Sequence, residues 1–385
     1  MAAKPRQKQR HSVPVLVVLS IFGVAVLFFK FSELLVNART FRQRTFLKTI
    51  NNLSDQLTFE EIHNNYDFVQ FSDILKSLGK PPYLIFYDSS NVDVVLNHIC
   101  NLKFIPNALS RLVAISFDQK AQEVLKLNYP SVPSVLIDLQ PIIKTLDTSM
   151  ENRRYVIYTL ALVTHAKVCA SLALRGIDFW SMHQDTLWID NFESMEIEDR
   201  YPDAFLLFDT VGNELPHYTR MQDWICGATF FVRANPITHQ FFQQVTSFML
   251  SYQSPDSSIM TYLCGHHQYR CEFLPRWIVS SFDYFEGPRQ FAPVLLQMDA
   301  PKSNETKMEL FERARFVFRK TDGTCNEMAF RKLRNSVRNG LLERLRKDGK
   351  VKESMMKRMM YALKNISNID PYNRKDFLKI HHSLI

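Results

Sequence analysis

Between residues 83 and 182, four short apolar runs alternate with longer stretches of helical spacing. "YLIFYD" follows Pro81-Pro82, and "NVDVVLNHICNLKFI" then takes the helical period. "RLVAISF" ends at Asp118, "QKAQEVLKLNY" is again helical, and "VPSVLIDL" is the third apolar run. Residues 153–176 form a long helical stretch stopped at Gly176, and "IDFWSM" closes the series. Short continuous apolar runs fit strands buried on both faces. Their alternation with helices predicts an α/β domain, a mainly parallel sheet flanked by helices. Such sheets bind ligands outside the carboxyl ends of their strands. His183-Gln184-Asp185 follows the fourth run directly. Its lone acid is therefore expected to face a ligand crevice.

The ends of the chain suggest a compartment. Lys4, Arg6, Lys8 and Arg10 precede the apolar run Val13 to Phe29. That run just meets the length of a bilayer-spanning helix, about 17 residues at the least. A cleavable signal has a shorter apolar region ending in small residues, whereas "KFSELLVNARTFRQR" follows here. The expectation is an uncleaved signal anchor at 13–31 behind a cytosolic tail, 1–12, with the rest lumenal. Sequons at Asn52, Asn304 and Asn365 agree with that side of the membrane. Cys264 and Cys271 flank "GHHQYR" and are the best local disulfide candidate; a zinc site there lacks the usual spacing. Residues 32–80 read as a stem, 81–320 as the main domain and 321–385 as a basic helical extension. The excess of 47 basic over 39 acidic residues gathers at the two ends. No nucleic-acid module accompanies it, so no nucleic-acid partner is expected.

The order of these pieces resembles the nucleotide-diphospho-sugar transferase family, of the GT-A glycosyltransferase fold, over roughly residues 80–320. Members carry an Asp-x-Asp-x-x-Trp motif after a strand. "HQDTLWI" stands in that place, with Asp185 on the second Asp, Trp188 on the Trp, and His183 replacing the first Asp. Lys167 and Gly176 match an upstream Lys and Gly, and Asp203, Gly227 and Arg233 fall in the downstream strands. "DSSI" keeps Asp256 of an Asp-Gln pair, and Gln297-Met298-Asp299 stands where members have His-x-Asn, followed by Lys307.

The resemblance implies a donor site of Lys167, Asp185, Trp188, Gly227, Arg233 and Lys307. It implies a Mn²⁺ or Mg²⁺ ion on Asp185, His183 and Asp299, and an acceptor-side catalytic carboxylate, Asp256. The chemistry is coherent. An ion that binds a diphosphate needs only one or two protein carboxylates besides the phosphates, and it stabilises the departing diphosphate as a Lewis acid. A neutral His183 suits Mn²⁺ but adds no charge.

The expected activity is sugar transfer from a nucleotide sugar to a glycan or glycoprotein acceptor. The expected location is a Golgi or other secretory membrane, in a single-pass type II protein, and the resemblance favours retention of configuration. The alternative is an inactive binding protein on the same fold, because the motif has lost its first Asp and fold does not fix function. A hydrolase is disfavoured: no carboxylate pair and no Gly-x-Ser-x-Gly elbow stand out.

Overall fold

The computed structural model describes residues 30, 40–211, 224–265, 269–281, 284, 292–298 and 305–339. The expected tail and all of the expected anchor but residue 30, Asp299, Asn304, Asn365 and everything beyond residue 339 lie outside the described residues. The chain divides into two compact units, Met1–Thr49 and Ile50–Ile385. In the first, residues 40–49 are helical. All that follows concerns the second.

The strands are β1 (Tyr83–Tyr87), β2 (Leu112–Ser116), β3 (Ser134–Leu136), β4 (Phe179–Met182), β5 (Thr186–Trp188), β6 (Leu206–Thr210), β7 (Ile225–Val232), β8 (Cys271–Phe273), β9 (Val279–Ser280) and β10 (Leu295–Gln297). A seven-stranded sheet has the order β3-β2-β1-β4-β7-β6-β8. Strands β3, β2, β1 and β4 are mutually parallel, as their continuous apolar runs predict. β7 is antiparallel to both β4 and β6, and β8 returns parallel to β6. A smaller sheet, β5-β10-β9, sits at the chain's exit from β4. β10 lies antiparallel to β5, setting Gln297 opposite Thr186.

One described helix, Arg153–Leu174, is apolar and long enough to cross a membrane by length and composition. However, 83% of its apolar window is buried inside the protein, where it packs on helix Pro236–Ser251. It is a core helix.

The folded unit is wider than the sequence boundaries. Before residue 80, helix Tyr66–Ser77 buries Phe68, Phe71 and Leu75. His63 Nδ1 lies 2.8 Å from Ser171 Oγ. Residues 50–80 are thus part of the domain, because their apolar face is covered by it. At the other end, helix Glu327–Arg338 buries Phe330, Leu333 and Val337, spaced three and four apart on one face. A Cys100–Cys325 disulfide and an Arg334–Asp190 ion pair of 2.7 Å fasten it to the domain. Residue 320 is therefore not a domain edge. Cys264 is joined to Cys271, while Cys169 and Cys226 remain thiols.

Candidate functional site

β4 stops at Met182, and the next amide, on His183, still bonds the Ala228 carbonyl of β7 at 2.8 Å. The chain then turns into β5, which leaves Asp185 at the carboxyl edge of the main sheet, where the strand pattern placed it. Its side chain is buried, with 8% of the residue exposed.

Asp185 is held on both oxygens. Gln297 donates Nε2–H to Oδ1 at 2.6 Å, and the Lys307 ammonium pairs with Oδ2 at 2.7 Å. Thr186 donates its hydroxyl to Gln297 Oε1, which turns the amide's N–H side towards Asp185. Lys307 opens helix Lys307–Ala314 and also donates to the Met298 carbonyl at 3.1 Å. His183 Nδ1 lies 3.8 Å from Asp185 Oδ1, with its side chain 45% exposed. Burial pushes the Asp185 carboxyl up. The Lys307 ammonium, His183 and the two hydrogen bonds outweigh that and hold it below the usual carboxylate range. It is a carboxylate with a cation seated on it.

Asp256 begins helix Asp256–Gly265 and accepts the Ser257 amide at 2.8 Å. Burial raises its pKa, against the pull of the Ser257 amide and of His183. A second acid of different protonation tendency therefore stands by the same histidine. Tyr158, half-exposed on helix Arg153–Leu174, interacts electrostatically with both Asp256 and Asp185.

Gly227 explains how Asp256 gets there. It has φ +79°, and a Cβ would lie 3.2 Å from Met260 Cε and 3.3 Å from Ser257 Cβ. Glycine lets β7 approach the start of the Asp256 helix closely. Its amide bonds Asp209 Oδ1 at 2.9 Å, and Thr229's amide bonds Oδ2 at 3.0 Å, across the β6–β7 irregularity. Gly227 acts through packing.

Three expected donor residues stand elsewhere. Trp188 is fully buried, edge-on to Tyr83 and Phe192, with its backbone clamped by Asn101. It belongs to the core. Arg233 follows β7, whose antiparallel course puts Val232 beside Phe179, at the amino end of β4. That is about 16 Å along the strand from His183, at about 3.3 Å per residue. There its guanidinium binds the carbonyls of Ala204, Glu198 and Tyr201. Lys167 is buried and donates to Ser54 O at 2.8 Å, Ser54 Oγ at 2.7 Å and Leu57 O at 2.6 Å. An ammonium has three N–H groups, and these are Lys167's three acceptors. Asn52 is exposed, while Ser54 of its sequon is buried against Lys167.

Two site neighbours have roles the sequence reading did not assign: Gln297 stood in the His-x-Asn place without a function, and His98 was not singled out. Gln297 orients Asp185. His98 is buried beside the Thr186 backbone, its pKa pushed down to about 4 by burial although Asp185 and the Thr186 backbone pull it up. The available signal was polar: Asn97, His98 and Asn101 interrupt the apolar run of helix Val92–Leu102 after Asp93, and all three are buried.

Among the described residues, no three His, Cys, Asp or Glu side chains gather to hold an ion. Asp185 and His183 fit an ion shared with a ligand's phosphates, since such an ion takes only one or two protein groups. The Lys307 ammonium on Asp185 shows that this position accepts positive charge.

A mainly parallel α/β sheet thus carries an ionised acid at its carboxyl edge, beside a lysine, a histidine and a second acid. The sequence matches the nucleotide-diphospho-sugar transferase model over residues 107–311, more than half of the chain, and the protein belongs to that family. By that family it is a transferase of the nucleotide-diphospho-sugar class. No curated protein sequence matches it. It is similar to the bifunctional glycosyltransferase WbbM, at 10% identity over 66% of this chain and 49% of that one, TM-score 0.39. Likewise it is similar to galactosyltransferase LgtC in complex with donor and acceptor sugar analogs: 9% identity, 66% and 95% covered, TM-score 0.39. A third is mannosyltransferase PcManGT from Pyrobaculum calidifontis, in complex with GDP-Man and Mn²⁺: 12% identity, 70% and 73% covered, TM-score 0.34. The matched region spans about half of the WbbM chain. The family assignment rests on the sequence match.

Proposed function

We propose that the protein transfers a sugar from a nucleotide-sugar donor to a glycan or glycoprotein acceptor in the lumen of the Golgi or another secretory compartment. The N-terminal apolar run would anchor it as a type II membrane protein. The observation that carries the chemistry is Asp185, ionised at the carboxyl edge of β4 with a cation on it.

Asp185 and His183 would hold a Mn²⁺ or Mg²⁺ ion together with the donor's diphosphate, and that ion supplies Lewis-acid stabilisation of the leaving diphosphate. Gln297 orients the carboxylate. Lys307 pairs with phosphate oxygens as a point charge. Asp256 would stand on the acceptor side of the site, where its carboxyl can hydrogen-bond the incoming hydroxyl.

Turnover of a nucleotide-sugar panel, read as released nucleoside diphosphate, tests this in wild type and Asp185→Ala. Turnover should fall by about a hundredfold or more in a folded variant. Unchanged turnover would remove Asp185 from the reaction. The loss of the motif's first acid, replaced by His183, also favours a second reading, an inactive donor-binding protein. Donor binding without turnover on any acceptor would establish it.

A further inference from the structure

The carboxylate that would hold a metal ion, Asp185, carries a cation of the protein itself. Lys307 Nζ lies 2.7 Å from Asp185 Oδ2 and 3.1 Å from the Met298 carbonyl, and Gln297 covers Oδ1. Lys307 sits at the first position of a helix whose N-cap, Thr306, forms a capping box with Glu309. The positive end of the helix dipole disfavours a cation there, so its placement follows from the carboxylate it meets. A buried carboxylate stripped of its cation is costly, and Asp185 avoids that state in the absence of ligand.

We propose that Lys307 is a built-in competitor for the cation on Asp185. It makes metal binding depend on the donor's diphosphate. An ammonium seated on this carboxylate weakens its hold on a divalent ion: both draw on Oδ2, and like charges at that separation repel. A diphosphate changes the balance, because it gives the ammonium a new anionic partner. Lys307 then moves from Asp185 to phosphate oxygen, and the vacated carboxylate takes the ion. His183, 3.8 Å away and largely accessible, completes the ion's protein contacts. Ion and donor therefore enter as a pair, and the ion alone is held off. The inference rests on the nucleotide-sugar reading of the site.

Mn²⁺ binding to the purified full chain, followed by the paramagnetic resonance signal of the free ion, tests it without any turnover. Wild type should bind Mn²⁺ weakly alone and at least about tenfold more tightly with UDP or GDP present. Lys307→Met and Lys307→Gln should bind Mn²⁺ alone at least about tenfold more tightly than wild type, and bind the nucleotide at least about tenfold more weakly. Circular dichroism checks that each is folded, and the Gln variant keeps a donor for the Met298 carbonyl if Met disturbs the turn. Nucleotide-dependent Mn²⁺ binding in wild type, with no gain for Mn²⁺ alone in either folded variant, overturns the competition and leaves the donor reading intact. Wild type that binds no nucleoside diphosphate with or without Mn²⁺ overturns the donor reading, and the hand-over falls with it.

Discussion

Lys167 separates a structural lysine from a phosphate ligand, and its burial makes the difference measurable. Its pKa is pushed down from 10.5 to about 8, mainly by burial, against the pull of Asp55, Glu61 and Glu60. The folded protein then binds fewer protons than the unfolded chain between those two values, so stability must rise with pH there. Below pH 8 the full penalty applies, about 3 kcal/mol for a shift of this size. Integration from pH 7.5 to 9.5 gives a gain of about 2 kcal/mol from this one group. Urea unfolding followed by circular dichroism at pH 7.5, 8.5 and 9.5 should show that rise in wild type. Lys167→Met should lose about 2 kcal/mol of it, since methionine does not titrate. Nucleotide affinity should be unchanged. Equal pH slopes in the two proteins would refute the buried-charge reasoning. Weakened nucleotide binding in a folded Lys167→Met would return the residue to the donor site.

Two further outcomes follow from the packing around the site. Gly227→Ala forces an L-residue into a left-handed φ, about 1–3 kcal/mol, and pushes on Met260 and Ser257. Its melting temperature should fall, and turnover should drop more than stability alone accounts for, because the Asp256 helix is displaced. Asn101→Ala removes both backbone bonds to Trp188, 2.7 and 3.0 Å, at a buried position. Chemical denaturation should show a loss of about 2–4 kcal/mol; a loss below about 0.5 kcal/mol would mean that the clamp contributes nothing.

The sheet was legible because buried parallel strands cannot alternate. "YLIFYD", "RLVAISF" and "IDFWSM" had to be continuous apolar runs, and β1, β2 and β4 lie within them. Asp185 was legible for the same reason: a charge directly after such a run cannot enter the core without a partner. Arg233 was misplaced because strand direction is absent from a run of apolar letters. "CGATFFVRAN" reads the same either way, yet antiparallel pairing sends its arginine to the far end of β4. Lys167 was placed at the donor because its true acceptors, Ser54 and Leu57, are more than a hundred residues away in sequence. Trp188 carried the family motif's aromatic, but a Trp after a strand fills a core as readily as it lines a crevice. The Cys100–Cys325 bridge spans 225 residues and left no local trace.

The most direct measurement is calorimetric titration of the purified full chain with UDP and GDP, with and without Mn²⁺, in wild type and Asp185→Ala. A donor site built on Asp185 predicts micromolar binding that requires Mn²⁺ and disappears in the folded variant. Binding of neither nucleotide by folded wild type, or equal binding in both proteins, would contradict it.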